Sequence, residues 1–201
     1  MDLLVLAMLI AFGAFTLKSR DQRRRIALLG HMLGQYQIEK LMESLTDGYL
    51  RALGEADPER RTQIWNLLAT TEAQLCEQFN RFSAEMASLD AAQTRVSKLP
   101  LALPYADRLF PGATFDLRQA LAIHGKGLAN AARNDRQQSP RDKAFLMSAE
   151  LFLMQHTCHW FCRSRAVASA RMLARHKTPH AQLVASVAPE TRAAYLALIG
   201  K

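Results

Sequence analysis

The densest chemistry in this 201-residue chain is a short segment that holds two histidines and two cysteines. His156 and His159 are three positions apart, and Cys158 and Cys162 are four positions apart. Both spacings let side chains meet on one face of a helix. Imidazole and thiolate together suit zinc and other borderline metals. The segment is therefore a candidate metal or haem site, of the kind that an enzyme or a sensor uses.

The same segment also fits a polar seam inside a helical core, and this is the interpretation that we prefer. Buried histidines usually find a neighbouring partner, and cysteine is a common small apolar residue in cores. The four side chains span about 160° of a helix, which is too wide for one ion to collect them all. Two or three of them could bind a metal with a ligand from elsewhere, such as His124, His31 or a glutamate.

Arg163 follows these four residues and falls on the same helix face as the two histidines. In the core interpretation it pairs with an acid of the preceding helical hairpin. The candidate acids are Glu72, Glu77 and Glu85. In a third interpretation the arginine makes a nearby cysteine reactive, because a neighbouring positive charge stabilises the thiolate.

The elements that would position this segment start with a membrane anchor. Leu3 to Leu17 is apolar apart from Gly13 and Thr16. A helix needs roughly 20 residues to cross about 30 Å of hydrocarbon, and flanking basic side chains can extend a shorter one. We predict a transmembrane anchor over residues 1–20. A basic collar follows the apolar run: Lys18, Arg20, Arg23, Arg24 and Arg25.

The collar also predicts an orientation. Basic flanks stay in the cytoplasm, so the N terminus should lie outside and the main domain in the cytoplasm. A cleavable signal peptide carries its positive charge before the apolar run, whereas here Asp2 precedes it. A helix lying on the membrane surface needs a polar face, which this run lacks. The sequence is rich in alanine, leucine and arginine, which favours a bacterial protein. The predicted membrane is therefore the bacterial inner membrane.

The distribution of charge and the number of cysteines bear on the compartment of the domain and on what it could bind. The net charge of +8 is uneven: residues 26–96 carry six bases and ten acids, and residues 151–201 carry seven bases and one acid. Three cysteines without a framework spacing argue against a disulfide-built domain and agree with a reducing cytoplasm. The basic C-terminal third gives nucleic-acid binding as an alternative, through Arg171 and Arg175 on one helix face.

All patterns in the chain favour helix, so we predict an all-α fold. After the anchor we expect a long amphipathic hairpin over 21–97, a Pro-rich connector over 98–113 and a helical bundle half over 114–201. The expected helices are 26–53, 58–96, 114–134, 140–177 and two short ones after Pro179 and Pro189. Leu101 and other apolar residues of the connector should pack on the domain.

One apolar stripe of the second hairpin helix is the predicted contact seam. Its spacings of three and four resemble a coiled-coil seam, which a partner, a second copy or the chain itself can fill. The candidate interaction residues are Leu68, Leu75, Phe79, Phe82 and Met86. No catalytic motif is found, and no cofactor is expected. The predicted function is a membrane-anchored scaffold, assembly or regulatory subunit with a protein partner.

Overall fold

The computed structural model describes residues 2–100 and 102–200, and over these residues the fold is all-α, as predicted. Met1, Leu101 and Lys201, which belong to the predicted anchor, connector and bundle, lie outside the described residues. The helices are α1 (Asp2–Leu33), α2 (Ile38–Gly54), α3 (Pro58–Ala87), α4 (Ala91–Thr94), α5 (Ala106–Leu109), α6 (Leu117–Arg133), α7 (Pro140–Cys162), α8 (Arg165–His176), α9 (His180–Ser186) and α10 (Pro189–Ile199). The strands are β1 (Arg95–Ser97) and β2 (Thr114–Asp116).

A single helix carries the apolar N-terminal run into the domain. The large apolar side chains between Leu3 and Leu17 are exposed, whereas Leu29 on the same helix is buried in the core. The predicted continuation of the anchor into the next helix therefore holds as far as Leu33. Beyond it the prediction is wrong, because the chain turns over Gly34–Gln37 before α2 begins. Glycine disfavours helix, and the turn lets α2 lie alongside α3.

Helices α2 and α3 form the predicted antiparallel hairpin. The carboxylate of Asp57 accepts hydrogen bonds from the backbone N–H groups of Glu59 and Arg60, and Pro58 occupies the first helical position, as the sequence indicates. The five residues of the predicted seam are all buried. The chain itself fills this seam, since α3 packs against both α2 and α6.

The end of α3 differs from the prediction. The helix stops at Ala87 instead of Val96, and after one turn of α4 the chain enters β1. Strands β1 and β2 pair antiparallel, with Val96 opposite Phe115. The sequence pattern, which favours helix throughout, does not indicate this short pairing. Val96 is β-branched and buried, and both properties suit a strand.

Because β2 occupies Thr114–Asp116, α6 begins at Leu117 rather than at Thr114. Asp116 caps the helix by accepting from the backbone N–H of Arg118. The predicted Pro-rich connector includes the short helix α5 and a 3₁₀ turn at Pro111–Ala113. Ala106 is buried, so the connector contacts the domain, but the prediction that its large apolar residues pack there is wrong for Leu103, Leu109 and Phe110, which are exposed.

Helix α7 is the centre of the fold and packs against α1, α2, α6, α8 and α9. Ser139 caps it by accepting from the backbone N–H of Asp142, and Pro140 occupies the first helical position, which agrees with the predicted helix start at 140. It ends at Cys162 and not near Lys177, because the chain leaves helical geometry at Arg163 and Ser164 caps a new helix, α8. The helices after Pro179 and Pro189 are found as α9 and α10.

Helical periodicity places Phe145 and Phe152 on the same face of α7 as His156, and this face is predicted to be core. In the structure Phe145 is exposed and Phe152 is only half-buried, so the prediction is wrong for these two residues. Burial instead extends around most of the helix, because five helices surround it. Helical periodicity identifies one apolar face, whereas a central helix is buried on several faces at once. The buried residues of α7 lie on most of its sides, so the domain itself covers this helix.

Candidate functional site

Helix α7 carries all four predicted metal ligands, but it directs them to different surroundings. His156 points into the core and is buried. Its Nε2 lies 3.1 Å from the hydroxyl of Ser169, and its ring stacks on His180 with 4.1 Å between centroids. Burial, followed by the charges of His180 and Arg165, holds the pKa of His156 far below its ordinary value. This histidine is a neutral core residue.

His159 faces α8 and is half-buried. Its Nδ1 lies 3.3 Å from Nη1 of Arg171. Burial lowers the pKa of His159, and the positive charges of Arg171 and Arg175 lower it further. A neutral imidazole beside an arginine accepts a hydrogen bond from it, so His159 helps to hold Arg171 in place.

The two cysteines lie on the side of α7 that faces α1 and α2. Together with His159 they line a cavity of about 340 Å³ that we call the α1–α2–α7 groove. Burial raises the pKa of Cys158 to about 12 and that of Cys162 to about 11. Both thiols are therefore protonated near neutral pH, which disfavours the hypothesis of a reactive thiol.

Among the described residues, no group of three or more His, Cys, Asp or Glu side chains is placed to hold a metal ion. Of the four predicted ligands, Cys158, His159 and Cys162 line the groove, and His156 lies in the core. Metal or haem binding by His156, His159, Cys158 and Cys162 stays a prediction.

The expected acid partner of Arg163 is not found. Arg163 is exposed at the end of α7, and its Nη1 donates to the side-chain oxygen of Gln22 on α1 at 2.6 Å. Of the predicted acids, Glu72 instead accepts from Lys143 and, at 2.6 Å, from the hydroxyl of Tyr49. The helix break after Cys162 turns Arg163 away from the core face that a continuous helix predicts.

Sequence reasoning missed a larger buried polar cluster around His156. Nε2 of His124 lies 2.9 Å from the hydroxyl of Thr157, and Nε2 of His180 lies 3.3 Å from the hydroxyl of Tyr195. These residues come from α6, α7, α9 and α10, so no local pattern in the sequence joins them. The Nδ1 atoms of His124 and His156 are buried without a hydrogen-bond partner among the described residues.

Glu150 is a further buried group that the sequence did not identify as part of a site. Its Oε1 accepts from the backbone N–H of Ala188 at 3.0 Å, which ties α7 to the start of α10. Burial raises its pKa to about 7, against the opposing effect of the Ala188 hydrogen bond. The absent side chain of Gly127 provides the space for its Oε2.

The basic collar divides into two parts. Arg20, Arg23 and Arg24 are exposed, and Lys18 is half-buried. Arg25 instead faces the domain: Nη2 lies 3.0 Å from Asp107, Nη1 donates to the backbone oxygen of Arg95 at 2.7 Å, and the guanidinium lies over the ring of Phe161. Arg25 therefore fastens α5 and β1 to α1 rather than facing outward with the rest of the collar.

By length and composition, α1 can cross a membrane, and none of its apolar window is buried. A buried core helix is thereby excluded for this segment, although a signal sequence has the same properties. The exposed Arg171 and Arg175 on α8 leave nucleic-acid binding as a prediction. Comparison of the chain with family models, with curated proteins and with solved structures finds no match.

Proposed function

We propose that this chain is a single-pass protein of a bacterial inner membrane. Its cytoplasmic helical domain would bind another protein there, as a scaffold, assembly or regulatory subunit. The observation that carries the proposal is α1, which leaves its apolar residues from Leu3 to Leu17 exposed and then enters the core at Leu29. Monomeric soluble proteins rarely expose a continuous apolar surface of this extent.

The α1–α2–α7 groove supports a protein partner better than the predicted seam does. The seam residues are buried within the chain, at 5% exposure or less, and are not accessible to a partner in this conformation. The groove is open and mainly apolar, and its lining includes Ile26, Gly30 and Met42. A Cβ at Gly30 would meet nothing within 4 Å, so this position leaves room for a close approach of another helix.

The charged edge of the groove indicates what kind of helix fits. Arg163 and Arg171 line this edge together with one acid, Glu39. Neither arginine forms an ion pair within the described parts of the chain. An amphipathic partner helix with an acidic residue at the arginine end would complement both the apolar lining and the charge.

The proposed membrane anchoring is tested by washing membranes that contain the full chain with alkaline buffer. The measured quantity is the fraction of the protein that stays in the membrane pellet. Leu9→Arg with Ile10→Arg should release the protein, because charged side chains are costly inside the bilayer. Leu50→Arg with Leu53→Arg changes two exposed leucines of the hairpin and should leave the protein in the membrane. Equal retention of both variants, or an intact mass that lacks the apolar run, would overturn the anchor.

The partner half is tested with a photoreactive residue placed at Ile26 in the groove, and at Leu67 as an exposed control on the hairpin. In native membranes, Ile26 should give one adduct of defined mass, and Leu67 should not. Gly30→Trp should fill the groove and remove the adduct. The partner must then bind the purified full chain one to one, and must bind more weakly to Arg171→Glu. An Ile26 position that yields only lipid adducts or none contradicts the groove.

A further inference from the structure

A second apolar surface lies beside the point where α1 leaves its apolar run. Leu103, Leu109 and Phe110 are exposed to 46%, 66% and 48%, and all three belong to the Pro-rich connector. We call these three residues the connector patch. A cluster of exposed large apolar side chains within eight positions indicates a contact surface rather than scattered surface leucines.

The position of the connector relative to α1 is fixed by several contacts. Leu103 lines the same small cavity as Lys18 and Gln22 of α1. Asp107, which is buried, forms an ion pair with Arg25 at 3.0 Å. Lys18 to Arg25 lie within about 12 Å of the end of the apolar run, because a helix rises about 1.5 Å per residue. The connector therefore sits at the depth where lipid head groups surround an inserted α1.

The charges around the patch match an anionic lipid surface. The two acids in this region, Asp21 and Asp107, are both paired with Arg25 and directed toward the domain. Arg20, Arg24 and Arg108 are exposed and form no ion pair with any described residue. The outward surface at this level is thus basic and apolar together, which is the composition of segments that lie in a membrane interface.

We propose that the connector patch inserts into the interface of the bilayer that α1 spans, as a second membrane contact. The inference rests on the proposed membrane anchoring. Leu109 and Phe110 enter the boundary between head groups and acyl chains, while Arg108 stays among the phosphates. Two contacts, α1 and the patch, then hold the domain in a single orientation against the membrane and set the direction in which the α1–α2–α7 groove opens.

The test places a photoreactive phenylalanine analogue in the full chain, reconstituted in vesicles of zwitterionic and anionic phospholipid. The positions are Leu109 and Phe110 in the patch, Phe12 in the anchor and Leu67 on the hairpin. Leu67 is 69% exposed and matches Leu109 in residue type and exposure. We expect lipid adducts at Phe12, Leu109 and Phe110, with at least about tenfold less at Leu67. Vesicles without anionic lipid should reduce the yield at the patch and leave that at Phe12 unchanged.

The outcomes separate the two proposals. Lipid adducts at Phe12 with none at Leu109 and Phe110 overturn the second contact and leave the anchor intact. Adducts from the patch to another protein or to a second copy also overturn it, because the patch is then a protein interface. A Phe12 position that gives no lipid adduct overturns the anchoring on which both proposals depend.

Discussion

At the scale of single residues, Glu150 couples the stability of the fold to pH. Its pKa is raised to about 7 by burial, whereas an unfolded chain has the ordinary value of 4.5. The folded state therefore holds the proton over this interval, and Glu150 loses its contribution to stability as pH rises through 7. His124, whose pKa burial lowers to about 3, acts in the opposite sense and destabilises the fold as pH falls below its ordinary 6.5.

We therefore predict that Glu150→Gln becomes relatively more stable as pH rises. The amide can still accept from the backbone N–H of Ala188 and has no charge to bury. The free energy of unfolding of the variant, minus that of the unmodified chain, should increase by about 1 kcal/mol between pH 6 and 8. Denaturant titrations in detergent at several pH values measure it. Glu43→Gln, an exposed control on α2, should give a constant difference, and a constant difference for Glu150→Gln would contradict the prediction.

A buried ion pair gives a second prediction at this scale. Glu72 is almost fully buried and accepts from Lys143 and from the hydroxyl of Tyr49. Lys143→Met should leave the carboxylate unpaired in the core and lower the free energy of unfolding by about 3 kcal/mol. Adding Glu72→Gln to the variant should recover most of the loss, because no charge remains buried. Thermal or denaturant unfolding measures the free energy of unfolding of both variants. An equal decrease in the single and the double variant would show that Glu72 and Lys143 do not form a stabilising ion pair.

At the scale of elements, two glycines of α6 allow neighbouring helices to approach closely. The sequence suggests only that Gly125 and Gly127 weaken the helix. In the structure a Cβ at Gly127 would lie 2.4 Å from Oε2 of Glu150 and 2.7 Å from the hydroxyl of Thr191. The glycine is thus required by the packing of α6 against α7 and α10.

Gly127→Ala should accordingly lower the free energy of unfolding by about 1–3 kcal/mol, despite the better helix propensity of alanine. Gly30→Ala in α1 meets open space and should be neutral or stabilising by up to about 1 kcal/mol. Far-UV circular dichroism during denaturation compares the two. An increased free energy of unfolding for Gly127→Ala would contradict the prediction, because it would show that α6 can move away from α7 and α10 without loss of stability.

The elements also show what the sequence could and could not predict. Caps at Asp57 and Ser139 and the buried stripe of α3 were predictable, since each depends on neighbours a few positions away. The strand at Val96 was not, because its partner at Phe115 lies nineteen positions further along and a three-residue strand has no usable periodicity. The histidine cluster likewise depends on helices that only the tertiary fold brings together.

At the scale of the whole molecule, the division of the collar predicts how orientation can be changed without harming the fold. Arg20, Arg23 and Arg24 are exposed, whereas Arg25 is held by Asp21 and Asp107. Replacing the three exposed arginines by glutamate should reduce the fraction of chains with the domain in the cytoplasm, because basic flanks determine topology. Protease added to intact and to opened cells measures this fraction. Cleavage of the unmodified domain from outside intact cells would reverse the proposed orientation.

The length of chain between α1 and its partners has a consequence for synthesis. Gln22 of α1 forms its hydrogen bond with Arg163, which is synthesised 141 positions later. Arg25 forms its ion pair with Asp107, which is synthesised 82 positions later. At translation rates of about 5–20 residues per second, the α1 surface that faces α7 stays uncovered for roughly 7 to 28 seconds after it is made. During that interval only α2, α3, the connector and the other elements made before α7 can cover α1. Under the proposed anchoring, insertion of the apolar run would therefore precede closure of α7 onto α1, and a chain that stalls before α7 is made would leave this flank of α1 open.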